Sequence, residues 1–159
     1  MNPSLPLSLV LGLTAASLPA QTQFTSQTTQ SLGDGCNTMP TGTCRMLSLP
    51  TSLVAQFDAS SGTVTVTVNS YAFCGVVVPV TVLALGLQPA NVPLPVFGPS
   101  CMLYLHPLAV LANANEPFVL ALPPGVPSLT FLAQGAALGI DPVVGFVVTT
   151  SDALAISLQ

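Results

Sequence analysis

Charge is what this chain has least of. Arg45 is its one basic residue, lysine is absent, and charged side chains make up 4% of its 159 residues, against about a quarter in an ordinary soluble domain. Without a Lys/Arg cluster nothing neutralises phosphates, and a net charge of −4 repels nucleic acid and anionic lipid headgroups. Neither is expected as a partner. Tryptophan is also absent and there are two tyrosines, too few for the aromatic girdles of an outer-membrane β-barrel. Such a barrel needs alternating segments of about ten residues, and the prolines scattered from Pro89 to Pro127 sit badly in a closed sheet.

The catalytic inventory is equally thin. The titratable groups weighed for general acid/base work are Asp34, Asp58, Glu116, Asp141, Asp152 and His106, and no two are close in sequence. The chain has no G-x-S-x-G elbow, phosphate-binding glycine loop, G-x-G-x-x-G or H-E-x-x-H. His106, followed by Pro107, reads as a half-exposed loop residue at a strand end. The segment Leu32-Gly33-Asp34-Gly35-Cys36-Asn37 looks like a cation loop but offers two oxygen-bearing side chains, where calcium takes about six oxygen ligands. It reads instead as a disulfide-tethered turn. A zinc site is disfavoured by the lack of a C-x-x-C pair and the single histidine. No catalytic, cofactor-binding or metal-binding residue is therefore expected.

What the chain does have is apolar content, 50% of its residues, with sixteen prolines and twelve glycines spread along it. The first excludes disorder; the second excludes an all-helical fold. The stretch Leu5 to Leu18 followed by Pro19, Ala20 and the polar Gln21-Thr22-Gln23 reads as an export signal cut after Ala20. It is shorter than the roughly 20 apolar residues of a membrane span. The expected organisation is a signal peptide over 1–20 and one domain over 21–159, secreted or at the cell surface, with no span remaining after cleavage.

Four cysteines in an exported chain imply two disulfides. Of the three possible pairings, the sequential one is favoured: Cys36 with Cys44 and Cys74 with Cys101, each closing a turn-rich loop. The alternation Thr63-Val64-Thr65-Val66-Thr67-Val68 predicts a half-buried strand. With Leu53 to Phe57 and the intervening Asp58-Ala59-Ser60-Ser61-Gly62 it predicts a hairpin. Other strands are expected at Phe24–Thr29, Val76–Leu85, Met102–Leu105, Phe118–Leu122, Leu129–Gln134, Gly145–Thr149 and Leu154–Leu158, the last two joined by a turn at Thr150-Ser151-Asp152. Pro79 implies an edge or a bulge in its strand. About nine short strands with Pro/Gly-rich connections predict an all-β, antiparallel two-sheet sandwich, jelly-roll or Ig-like. Gln134, in an apolar strand, is expected to be a buried amide bonded to backbone near a bulge at Gly135. Phe97, Tyr104 and Phe131 are expected in the core rather than on a sugar-stacking surface.

In order along the second half come Leu85-Gly86-Leu87, Cys101-Met102-Leu103-Tyr104 with Pro107, Phe131-Leu132-Ala133-Gln134, and Ser151-Asp152-Ala153-Leu154-Ala155-Ile156. This succession resembles uncharacterised secreted β-sandwich modules common in planctomycete bacteria. The chain departs from their pattern in having Asp152 where an Asn is usual and no basic residue in the last strand. The resemblance implies export and a β-sandwich, and no reaction.

The expected function is that of a non-enzymatic structural, adhesive or interaction module of the cell exterior. The alternatives are a module binding glycan or a small apolar ligand, then a cryptic hydrolase. Short strands without lysine guards on their edges lead to an expectation of self-association or of docking on a protein partner at the cell surface, through Val76–Leu87 and Ala109–Leu122.

Overall fold

The computed structural model describes residues 24–36, 51–70, 77–98, 100–142 and 145–159. The expected signal at 1–20, Cys44 and Cys74 lie outside them. The strands are β1 (Gln27–Leu32), β2 (Ser52–Asp58), β3 (Thr63–Asn69), β4 (Val77–Pro93), β5 (Met102–Asn113), β6 (Phe118–Ala121), β7 (Leu129–Asp141) and β8 (Gly145–Leu158), with one 3-10 turn over Pro95–Phe97. They form two antiparallel sheets, β1-β8-β7-β4-β5 and β2-β3-β6. The architecture is the expected β-sandwich.

The β2–β3 hairpin forms where the alternation placed it, in register from Ser52 opposite Asn69 to Asp58 opposite Thr63. Val64, Val66 and Val68 all point into the core with Leu53, Leu83, Phe118, Phe131, Ile156 and Leu158. Side chains of both sheets interlock there because each sheet has one apolar face to remove from water. Phe24 closes one end, its ring edge-on to Phe57 at 6.1 Å.

Two expectations are corrected. Thr150-Ser151-Asp152 is not a turn but the middle of β8, so eight strands stand among the described residues where about nine were expected. The register against β7 slips here: Gln134 faces Ala153, while Ala136 faces Thr150. Ser151 serves a β-bulge, in which its hydroxyl accepts the Gly135 N–H at 2.8 Å and donates to the Asp152 carbonyl. The second correction concerns the disulfides. Cys36 is bonded to Cys101, with Cα atoms 5.1 Å apart, so neither Cys36–Cys44 nor Cys74–Cys101 forms. The cause is tertiary: the end of β1 and the start of β5, 65 residues apart, meet beside β8, where the Cys36 carbonyl accepts the Thr150 N–H at 2.8 Å.

β4 and β5 are far longer than the runs Val76–Leu85 and Met102–Leu105 suggested. β4 lies between β7 and β5, with the register irregularity expected at Pro79 falling between Val77 and Val80. Beyond Gly86 it pairs with β5 alone. The strands come so close at Gly86 that a Cβ there would lie 2.3 Å from the His106 carbonyl oxygen. Three successive register shifts follow, between Leu85 and Val92, and these twist the far half of the ribbon.

Candidate functional site

Two features of the β4–β5 ribbon stand out. The first is its outer edge, along which no further strand runs among the described residues. β5 ends the five-stranded sheet, and residues 106–112 of β5, His-Pro-Leu-Ala-Val-Leu-Ala, are exposed without interruption on both faces. Leu108 is 72% and Val110 63% exposed. An edge strand carries alternate N–H and C=O groups directed away from its neighbour, and proteins normally guard it with charge, proline or a bulge. Here Pro107 guards one end, and the register with β4 is regular from Ala109 to Asn113. The opposite edge, β1, exposes Thr28, Thr29, Gln30 and Ser31 instead.

The second feature lies where the ribbon crosses the outer face of the large sheet. Gln134 in β7 reaches two segments of the chain at once. Its Oε1 accepts the Tyr104 N–H at 2.8 Å, and its Nε2 donates to the Met102 carbonyl at 2.9 Å and the Ser151 carbonyl at 3.2 Å. The amide thus fixes the start of β5 to β7 and β8, as the expectation of a bonded amide near a bulge required. Leu132, on the same outward face of β7, is consequently buried.

Beside this bridge is a partly enclosed cavity of about 250 Å³. Val82 and Ala84 of β4, Ala136 and Leu138 of β7 and Val148 of β8 line it, and Leu94, Phe97 and Leu103 cover it. The covering turn is internally bonded, Leu94 N–H to the Cys101 carbonyl at 2.8 Å and Phe97 N–H to the Leu94 carbonyl at 2.9 Å. The disulfide fastens the turn to the sheet. Cys101 holds the turn, while Cys36 donates its N–H to Thr150 Oγ1 at 3.1 Å, and that hydroxyl donates to Cys36 Sγ at 3.3 Å.

The remaining sequence candidates are dispersed. Phe131 is in the core, Phe97 covers the cavity, and Tyr104 lies over Gly33, so the three aromatics form no common platform. His106 is exposed on β5, Asp34 follows β1, Asp58 ends β2, Glu116 lies between β5 and β6, and Asp141 ends β7. Asp152 accepts the Ser31 hydroxyl proton at 2.6 Å, tying β8 to β1. Among the described residues no three His, Cys, Asp or Glu side chains cluster as metal ligands. The described helical structure includes no helix long and apolar enough to cross a membrane. Sequence reasoning missed the cavity, whose lining comes from four strands and a turn with no local motif among them. No family model, curated protein or solved structure matches the chain.

Proposed function

We propose that this chain is a secreted, non-enzymatic structural and interaction module of the cell exterior, and that it assembles by pairing β5 with β5 of a second copy. The observation that carries this reading is the uninterrupted exposure of residues 106–112 on a sheet edge that no further strand covers among the described residues. A second copy is the occupant because an antiparallel edge is complementary to itself about a two-fold axis. Residues 107–112 bear no charge, so self-pairing opposes no like charges, and the net charge of −4 adds little repulsion at physiological salt. Pairing would join the two five-stranded sheets and set Leu108 and Val110 against cross-strand neighbours. The Cys36–Cys101 disulfide supports an oxidising compartment, as do the signal-like residues 1–20 and the resemblance to secreted modules. The separation of Phe97, Tyr104 and Phe131 gives a glycan surface no comparable support.

Sedimentation velocity of the disulfide-intact mature protein at micromolar concentration and physiological salt tests the reading. A dimer is expected, and a monomer once Ala109→Lys and Leu111→Lys place like charges across the two-fold. Both positions are exposed, so the thermal midpoint should hold. A monomeric parent protein, or a dimer indifferent to both lysines, overturns the proposal.

A further inference from the structure

The cavity under the Leu94–Phe97 turn has a chemistry of its own. Its lining is aliphatic apart from Phe97, Gln134, Gly135 and Thr150, and it contains no charged residue. The polar groups are already committed: both Gln134 amide protons to carbonyls, the Thr150 hydroxyl to Cys36, and the Gly135 N–H to Ser151. A ligand that needed hydrogen bonds or a counter-charge would lose its water and gain nothing. An apolar cavity of ~150 Å³ suffices for benzene, and this one measures about 250 Å³. Its cover is also pre-positioned, since the disulfide and the Gln134 bridge fix the ribbon to the sheet before any ligand arrives. That lowers the ordering cost of binding.

We propose that this cavity binds the hydrocarbon portion of a small molecule, an unbranched alkyl group inserted between the turn and the outer face of β7 and β8. The matched absence of charge and of free donors in the lining selects this occupant. The group can belong to a neutral alcohol or be the tail of a fatty acid, whose head then remains in water at the mouth. This binding is independent of the β5 edge: Ala109 and Leu111 are not among the lining residues.

The test is calorimetric titration of the disulfide-intact protein with the alcohols from butanol to octanol, and with octanoate. Affinity should rise about fourfold per methylene, the factor expected for transferring one CH₂ from water, and then level off once the cavity is full. Ala84→Leu and Ala136→Leu, which fill the cavity from two different strands, should each weaken octanol binding at least tenfold. Their thermal midpoints, measured alongside, separate filling from unfolding. Ala109→Lys with Leu111→Lys should leave octanol binding unchanged whatever the oligomeric state. Octanoate binding as tightly as octanol places the head outside, and octanoate failing while octanol binds restricts the ligand to neutral species. No saturable octanol binding, or binding indifferent to both filling substitutions in folded protein, overturns the proposal.

Discussion

The Tyr104 ring lies directly over the α-carbon of Gly33, so close that a Cβ at that position would come within 2.3 Å of the ring. The Tyr104 hydroxyl also accepts the Asp34 N–H at 3.3 Å. Gly33 has φ +75, a region that costs other residues about 1–2 kcal/mol. The contact locks the segment leading from β1 to Cys36 against the ribbon, and so places Cys36 near Cys101. Gly33→Ala, combining backbone strain with a displaced ring, should lower unfolding free energy by about 3 kcal/mol in urea melts. A change within 0.5 kcal/mol, the ordinary range for a surface substitution, would show that the ring does not rest there.

With Cys36 and Cys101 joined, Cys44 and Cys74 are left for each other. Non-reducing peptide mapping after cyanogen bromide cleavage at Met39, which separates Cys36 from Cys44, followed by chymotryptic digestion should recover Cys36 linked to Cys101, and Cys44 linked to Cys74. A Cys36–Cys44 peptide would contradict the fold described. In the chain-entropy picture, a bridge between residues 65 apart restricts the unfolded chain by about 4 kcal/mol, so Cys101→Ser should destabilise by up to that amount.

Asp58 anchors the β2–β3 turn. Side-chain hydrogen bonds from Ser60 and Ser61, and then the Ser60 backbone N–H, hold its carboxyl at about 2. The folded value lies below the unfolded value near 3.9, so its contribution is present in full above pH 4 and is lost as pH falls toward 2. Acid titration of the thermal midpoint should therefore be shallower in Asp58→Asn than in the parent protein between pH 4 and 2. Parallel curves would show that the carboxylate is not held in this way.

Thr81 is 1% exposed on β4, and its hydroxyl has no hydrogen-bond partner among the described residues. Burying an unpartnered hydroxyl costs about 1–3 kcal/mol. Thr81→Val keeps the shape and removes the hydroxyl, and should raise stability by about 1 kcal/mol in denaturant melts. A loss of stability would reveal a partner for the hydroxyl.

The features legible in the sequence are those decided locally. The Thr-Val alternation of β3 and the Asp-Ser-Ser-Gly turn before it specify a hairpin whose register depends on residues within one stretch of chain. Leu154, Ile156 and Leu158 announce an inward face, and Gln134 announces a bonded amide. Ser151 and Asp152 misled because the Ser151 side chain serves a bulge opposite Gly135, 16 residues away, and the Asp152 side chain bonds Ser31 of β1, while their local composition is that of a turn. The disulfide pairing was decided by the folding of the ribbon at Gly86 and by Tyr104 against Gly33, contacts between segments that no spacing rule connects. The cavity depends on the same fold-over.

Among the described residues β1 has a single neighbour, β8, from Gln27 opposite Leu158 to Leu32 opposite Ala153, and Gln159 accepts the N–H groups of Thr25 and Ser26. Among the described strands, the earliest of the sheet thus has no ladder until the latest one exists. During synthesis the β2–β3 hairpin can assemble as soon as it emerges, but β1 must wait, its polar Gln-Thr-Thr-Gln face keeping it hydrated in the meantime. Cys36 waits with it, because Thr150, which positions it, belongs to that same late strand. Covalent closure of the 36–101 ring is accordingly expected to follow completion of the sheet, and a chain stalled before β8 should retain Cys36 and Cys101 as thiols.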